Sequence, residues 1–478
     1  MSRKLLGKRF AAAIGLCLAA IYPALTGPVR AAPDPGCPGF GWAEGLGAYL
    51  SPTAAFPTDD TRNVAAPDCI FQQWSWEAFV WATALVEGPS GTMVPRFMTL
   101  QTPDQLLTPT QSAVAPRMLR LAARTNAVHG AVAAGEGAGA IVEADGNMLV
   151  APNGYPVYAS VHMNGSYFTT ASQNMIANGG YSNGDPNRFF DVGAAVFKAT
   201  WLRLDPGQAP PAGAYVTQAE VPVLKTTVVP GRVTIEPNGS FTIATVALIG
   251  LHVVGHTVNH PEFLWGTFEH QLNSPATPDN TFTPSSGVSD PKTYTLYKAG
   301  TPYSQVNIAV TPPQLSLDAA SQKISPVTNV VLENATGGEA NPNGADNIAV
   351  VNQQAKGQVA TFKPPQSQFA TYTLVGTVWM QANTYNLQSN QTNAVGSINL
   401  ANGTAETFFQ VAKNTPVSGI QNCFTCHNPT SYSFQTPPPP QLQNRLIALS
   451  HVLSYRTVYE VPNEISGTVS LGARPKAR

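Results

Sequence analysis

The stretch RVTIEPNGSFTIATVALIGLHVVGH, beginning at Arg232, constrains the fold more than any other. Apolar and polar residues alternate on both sides of Asn238-Gly239, the pair that two-residue hairpin turns favour, so it predicts two antiparallel strands joined there. VFKATWLRL alternates in the same way, with Val196, Lys198, Thr200 and Leu202 opposed to Phe197, Ala199, Trp201 and Arg203. Runs of this kind have to pair and bury at least one face, which makes a sheet the framework of the chain.

Further along, VEADGNMLV carries a turn signal at Asp145-Gly146, and APNGYPVYASVHM alternates after Asn153-Gly154. ATYTLVGTVWMQA reads as another strand. CIFQQWSWEAFVWATAL, from Cys69, has one charge, Glu77, and sets large aromatics, Phe71, Trp74, Phe79 and Trp81 among them, between helix formers, which predicts a buried helix with its aromatics in the core. SYFTTASQNMIANGG and GTAETFFQVAK predict short helices. Residues 275–365 are rich in Thr, Pro, Asn and Gly and read as long surface connections with short strands such as KISPVTNVVL. The expected fold is therefore α+β and β-rich: a large antiparallel-sheet domain with a few helices, without internal repeats.

The basic start MSRKLLGKRF, the apolar AAAIGLCLAAIYPAL and the small residues before about Ala31 form an export signal, which divides the chain into a leader (1–31), an extended lead-in (32–67), a main domain (68–420), a C-terminal segment (421–460) and a tail (461–478). The leader holds five of the 26 basic residues and no acid, leaving 21 basic groups against 27 acidic ones. That mild acidity gives no basic face for nucleic acid, and no later run of about 18 apolar residues predicts a membrane span. A periplasmic or secreted protein is expected.

Export changes how the five cysteines are read. Cys17 belongs to the leader, and Cys37 with Cys69 forms a candidate disulfide. Cys423, Cys426 and His427 make up C-x-x-C-H within NCFTCH, the pattern for covalent haem attachment. Two thiols one helical turn apart match the two vinyl groups, and the next residue supplies the proximal iron ligand. One covalent haem c is the expected cofactor, carried on a C-terminal helical segment. A zinc site would need a second ligand pair, and a thioredoxin-like pair a βαβ setting. No methionine follows His427, which excludes a small class I cytochrome c domain appended at the end.

The distal side of the iron has fewer candidates. His451, in the helix-like QLQNRLIALSHVLSY beyond the Pro437–Pro440 spacer, is the downstream one. Upstream, GLHVVGHTVNHPEFLWGTFEH gathers His252, His256, His260 and His270, half of the chain's eight histidines. If the strand from Phe241 continues, the first three share a face by parity, with His252 the alternative distal ligand. Gly255 and Pro261 act against that continuation, and Glu269 beside His270 is a candidate acid/base pair.

Several stretches taken together, WSWEAFVW, PNGYPVYASVHMN, VFKATWLRL, GLHVVGHTVNHPEFLWGTFEH, LVGTVW and LANGTAETFFQ leading into NCFTCH, resemble a family of exported bacterial cytochrome c family proteins with one C-x-x-C-H near the C-terminus. The resemblance runs from about Phe71 to His451. It implies export and one covalent haem held by Cys423, Cys426 and His427, and assigns no reaction. Three functions are open on these residues: electron transfer to a redox partner protein or small-molecule acceptor, a haem oxidoreductase with an open distal site, or a ligand-binding protein whose haem is structural or sensory.

Overall fold

A computed structural model describes residues 37, 45–60, 67–103, 105, 118–124, 140–141, 148–176, 190–229, 232–279, 281–283, 287–310, 314–338, 344–381, 394–410 and 423–427. A two-stranded sheet joins β1 (Leu85–Glu87) to β2 (Met93–Pro95). The main sheet is built from β3 (Leu119–Arg120), β4 (Ala122–Arg124), β5 (Ala140–Ile141), β6 (Tyr158–Met163), β7 (Ala195–Arg203), β8 (Val216–Val229), β9 (Arg232–Gly255) and β10 (Leu264–His270). After a small hairpin of β11 (Ser316–Asp318) and β12 (Lys323–Ser325), it is completed by β13 (Tyr372–Met380) and β14 (Ala394–Gly396). Its ten strands run in the order β14-β13-β10-β9-β7-β6-β4-β5, with β8 on β9 and β3 on β8. Pairing is antiparallel except at β3–β8 and β4–β5, so the sheet is mixed and the fold β-rich α+β. Among the described residues, no helix is long and apolar enough to cross a membrane.

The spine is β9, and it corrects the hairpin expected at Asn238-Gly239. One strand of 24 residues runs through that dipeptide. Its hairpin partner is β8, and Val229 pairs with Arg232 at the reversal. Asn238 and Gly239 instead form a bulge: Pro222 pairs with Phe241 and Leu224 with Pro237, so three residues of β9 oppose Val223. Gly239 takes the left-handed φ of 92°, and Asn238 Oδ1 accepts the amide of Ser240 at 2.8 Å. The same Asn-Gly chemistry that closes a hairpin here serves a kink within one strand. Beyond the bulge, β9 carries β7 along one edge from Val246 to Gly255 and β10 along the other from Gly250 to Gly255.

Among the described residues, four helices accompany the sheet: α1 (Pro67–Thr83), α2 (Gly165–Ile176), α3 (Gly344–Ala360) and the single turn α4 (Cys423–Cys426). As its sequence predicts, α1 is buried along nearly its whole length, with Trp74 and Trp76 fully covered. Gly255 and Gly266 let it approach the sheet, because a Cβ on Gly255 would fall within 2.9 Å of Trp74, and Ser75 lies equally close to Gly266. Ser75 Oγ then reaches Thr377 Oγ1 on β13 at 2.6 Å, and Phe79 stacks on Phe268. By contrast, α3 corrects the reading of 275–365 as surface connection only. Ile348, Val351, Ala355 and Val359 recur at helical spacing and are fully buried, while Asn352 accepts from Trp76 Nε1 and the Leu374 amide. Over 403–410, the described part of the helix expected at 403–413, the chain instead forms turns and a short 3-10 segment over Thr407–Phe409.

A disulfide joins Cys37 to Cys69 in the first turn of α1, closing a loop of 32 residues with Cα atoms 5.5 Å apart. The Asn153-Gly154 turn, the strand at 195–203 and the helix at 165–176 are found as expected. The leader, the turn at Asp145-Gly146, His451 and the polyproline spacer lie outside the described residues.

Candidate functional site

Alternation along β9 assigns its side chains to two faces. Leu251 and Val253 enter the large core with α1, while His252 and Val254 point to the opposite face. On that face Trp265 of β10 lies between its cross-strand partners Val254 and Val378, and one pair further on Thr267 lies beside His252. Two features cover this face: a polar segment at 402–407 and, next to it, the turn that bears the C-x-x-C-H residues.

The amide of His427 donates to the Cys423 carbonyl at 2.8 Å, so the helical turn opened by Cys423 and closed by Cys426 continues into His427. Phe424 is 1 % exposed and belongs to an apolar cluster with Val254, Trp265, Val378 and Met380, against which Cys423 packs half-buried. The half-buried imidazole of His427 rests on the Trp265 ring, with centroids 4.3 Å apart and planes tilted by 41°. Phe424 meets the same indole edge-on at 6.1 Å. Residues three apart lie on one face of a helical turn, so Phe424 and His427 grip Trp265 together. The turn bears both cysteines of the motif, and its Cys423 and His427 side chains lie against an apolar wall, which fits a covalent haem as donor set and as environment. Stacking uses the ring face of His427, whereas a bond to iron lies in the ring plane, so the contact with Trp265 is compatible with ligation.

The polar segment at 402–407 is held on the sheet by its own hydrogen bonds. Asn402 Oδ1 accepts the amides of Thr404 and Ala405, while the Gly403 amide donates to Glu269 Oε1 at 2.6 Å. His252 is spanned by this network: Nδ1 lies 2.9 Å from Thr267 Oγ1, and Nε2 lies 2.9 Å from Asn402 Nδ2 and 3.4 Å from Glu406 Oε1. Burial alone would raise the Glu406 carboxyl, but His252, Lys198 and the Asn402 amide bring it down to about 2. Burial raises Glu269, an effect that the Gly403 amide and Asn273 only partly offset. A polar network this enclosed is costly unless its members are satisfied, and here nearly all of them are.

The histidines expected to share a face are dispersed. Strand β9 ends at Gly255, so parity reaches His252 only. Both ring nitrogens of His252 are engaged, which makes it a clasp for the segment at 402–406. His256 meets Phe263 edge-on, and His270 lies between the Ala212 carbonyl and the Leu272 amide, where burial lowers it to about 4. His270 and Glu269 fall on alternate faces of β10, and no hydrogen bond joins them. Among the described residues, no three His, Cys, Asp or Glu side chains are grouped to hold a metal.

His260 differs from the others. It is 6 % exposed, its Nδ1 lies 2.8 Å from Glu262 Oε1, and no hydrogen bond to Nε2 is found among the described residues. Glu262 also accepts the Met380 amide through Oε1 and the Trp265 Nε1–H through its carbonyl, which puts the pair one contact away from the indole under His427. The carboxylate partner escapes sequence reasoning, which places Trp265 only among the tryptophans suited to lining a haem cavity or an ordinary core. The available signal was the spacing H-x-E within VNHPEFLW, which in isolation is common.

No family model, curated protein or solved structure matches this chain.

Proposed function

We propose that this is an exported, monohaem c-type protein with a redox role, in which haem is attached through Cys423 and Cys426 and ligated on its proximal side by His427. The observation that carries this reading is the docking of the attachment turn: Phe424 and His427 are held by Trp265 on the wall formed by β9, β10 and β13. With the turn there, the sheet domain would serve as the platform for the haem. The Cys37–Cys69 disulfide supports an oxidising compartment such as the periplasm. A covalently held haem supplies one-electron exchange through its iron. The chain's own part is to orient His427, to exclude water with the apolar cluster, and to deliver the attachment turn through the segment at 402–407.

Electron transfer to a partner protein or small acceptor is the first form of this reading. Oxidoreductase chemistry at an open distal side is the second, favoured by one observation: the buried His260–Glu262 pair beside Trp265. A carboxylate that fixes one imidazole nitrogen leaves the other for proton exchange or ligation.

Expression of the full chain in a host that matures c-type haem tests the proposal. Intact mass should rise by one haem, and Cys423→Ser with Cys426→Ser should abolish the gain. A haem-free wild-type protein from a host that loads a control cytochrome would sink it. Ferrous spectra with carbon monoxide then separate the two forms, since an occupied distal side leaves the spectrum almost unchanged and an open one does not.

A further inference from the structure

Resting on the haem reading, we infer that Trp265 is the positioning residue for the proximal imidazole, fixing the rotation of His427 about its Cβ–Cγ bond before and after haem is attached. Several independent restraints hold the indole. Its strand pairs with Val254 on one side and Val378 on the other, leaving the ring 6 % exposed in the apolar cluster. Its Nε1–H donates to the Glu262 carbonyl at 3.3 Å. Glu262, 1 % exposed, is itself tied down by the Met380 amide at 3.2 Å and by His260 Nδ1 at 2.8 Å. The result is a platform anchored at both ends of one hydrogen-bonded corner, where β10 begins and β13 ends.

Against this platform the imidazole lies ring to ring with the indole, tilted by 41°. With centroids 4.3 Å apart, a rotation of His427 that carries its ring off the indole face gives up the aromatic contact, about 0.5–1.5 kcal/mol beyond area burial. Phe424, packed edge-on to the same ring, keeps the turn from sliding. Axial ligands in proteins are ordinarily oriented by a neighbour that fixes the ring plane, through a hydrogen bond in most sites. Here a ring-to-ring contact with Trp265 restrains the imidazole. Loss of the platform should therefore change the iron's ligand field while leaving haem attachment, which depends on the thiols, in place.

The test compares full-length wild type, Trp265→Phe and Trp265→Ala after haem maturation, with haem per chain measured by intact mass and the ligand field by ferric electron paramagnetic resonance. Wild type and Trp265→Phe should each give one set of g-values, since phenylalanine keeps a ring face. Trp265→Ala should carry the same haem content but give a broadened or mixed spectrum, with ligand binding at the iron altered by about tenfold or more. If Trp265→Ala does not fold, Trp265→Leu makes the same comparison with apolar bulk and no ring face. A haem-loaded, folded Ala or Leu variant whose g-values match the wild type would overturn the inference and leave the haem reading standing. Absence of haem from the wild-type protein would remove both.

Discussion

Thr200 on β7 and Thr404 on the segment before the attachment turn meet across Gly250, with Thr200 Oγ1 donating to Thr404 Oγ1 at 2.8 Å. A Cβ on Gly250 would stand 2.5 Å from one hydroxyl oxygen and 2.6 Å from the other. Glycine is required there for close approach, because it lets residues 402–407 lie flat on the sheet. Gly250→Ala should therefore separate the segment from β7 and β9, costing about 1–3 kcal/mol as an overpacked buried site. Urea denaturation checks the loss. An unchanged midpoint would mean that the segment shifts without strain.

Acid stability should decline in two windows with separate causes. His162 is fully enclosed, with Nε2 2.9 Å from Ser160 Oγ, and burial lowers it from 6.5 to about 3. A histidine lowered in the folded state binds its proton first in the unfolded chain, so the stability it contributes is complete above about 6.5 and lost as pH falls towards 3. Glu406, lowered from 4.5 to about 2, contributes stability above 4.5 that is lost between those values. His162→Gln should flatten the pH dependence of the urea midpoint from pH 6.5 downward. Glu406→Gln should flatten it only below pH 4.5. Identical profiles for the two variants would contradict the assignment.

Strands and buried aromatics were legible because alternation and composition act locally: β7, β13 and α1 follow their patterns. The C-x-x-C-H turn stood out in the sequence because covalent haem attachment, which we propose for it, demands that spacing. By contrast, α3 has its signal at Ile348, Val351, Ala355 and Val359, diluted by Gly357 and polar neighbours that a propensity reading takes for loop. The histidine cluster misled for a different reason: shared parity holds only while the strand lasts, and β9 stops at Gly255. Trp265 as partner of His427 depends on a register between β9, β10 and β13, which one sequence does not contain.

The disulfide ties residue 37 to α1, and the Cys37 amide also donates to Asn347 Oδ1 on α3 at 3.2 Å. Cys69→Ser should lower stability by about 3–4 kcal/mol on the chain-entropy estimate for a 32-residue loop, and reduction of the wild type should reproduce the loss. Thermal denaturation with and without reductant measures both. A Cys69→Ser protein as stable as the wild type and indifferent to reductant would show that α1 is held by its packing alone.

The bulge in β9 supplies the last prediction. Because Gly239 sits at φ 92° and β9 continues past it, a side chain there strains the strand rather than a turn at the end of a hairpin. Gly239→Ala should cost about 1 kcal/mol, the usual penalty for a non-glycine residue in left-handed backbone. Deleting Asn238 and Gly239 together has a different consequence. Removal of two residues leaves one residue opposite Val223 and preserves the period-2 alternation on either side, so the Ile235 and Leu248 side chains keep their faces while the bulge disappears. The double deletion should fold with the sheet intact, as circular dichroism would show. A true hairpin turn at this dipeptide would not survive it, since the two flanking runs would then have to pair without a connection. Unfolding of the deletion variant would favour the hairpin over the continuous strand.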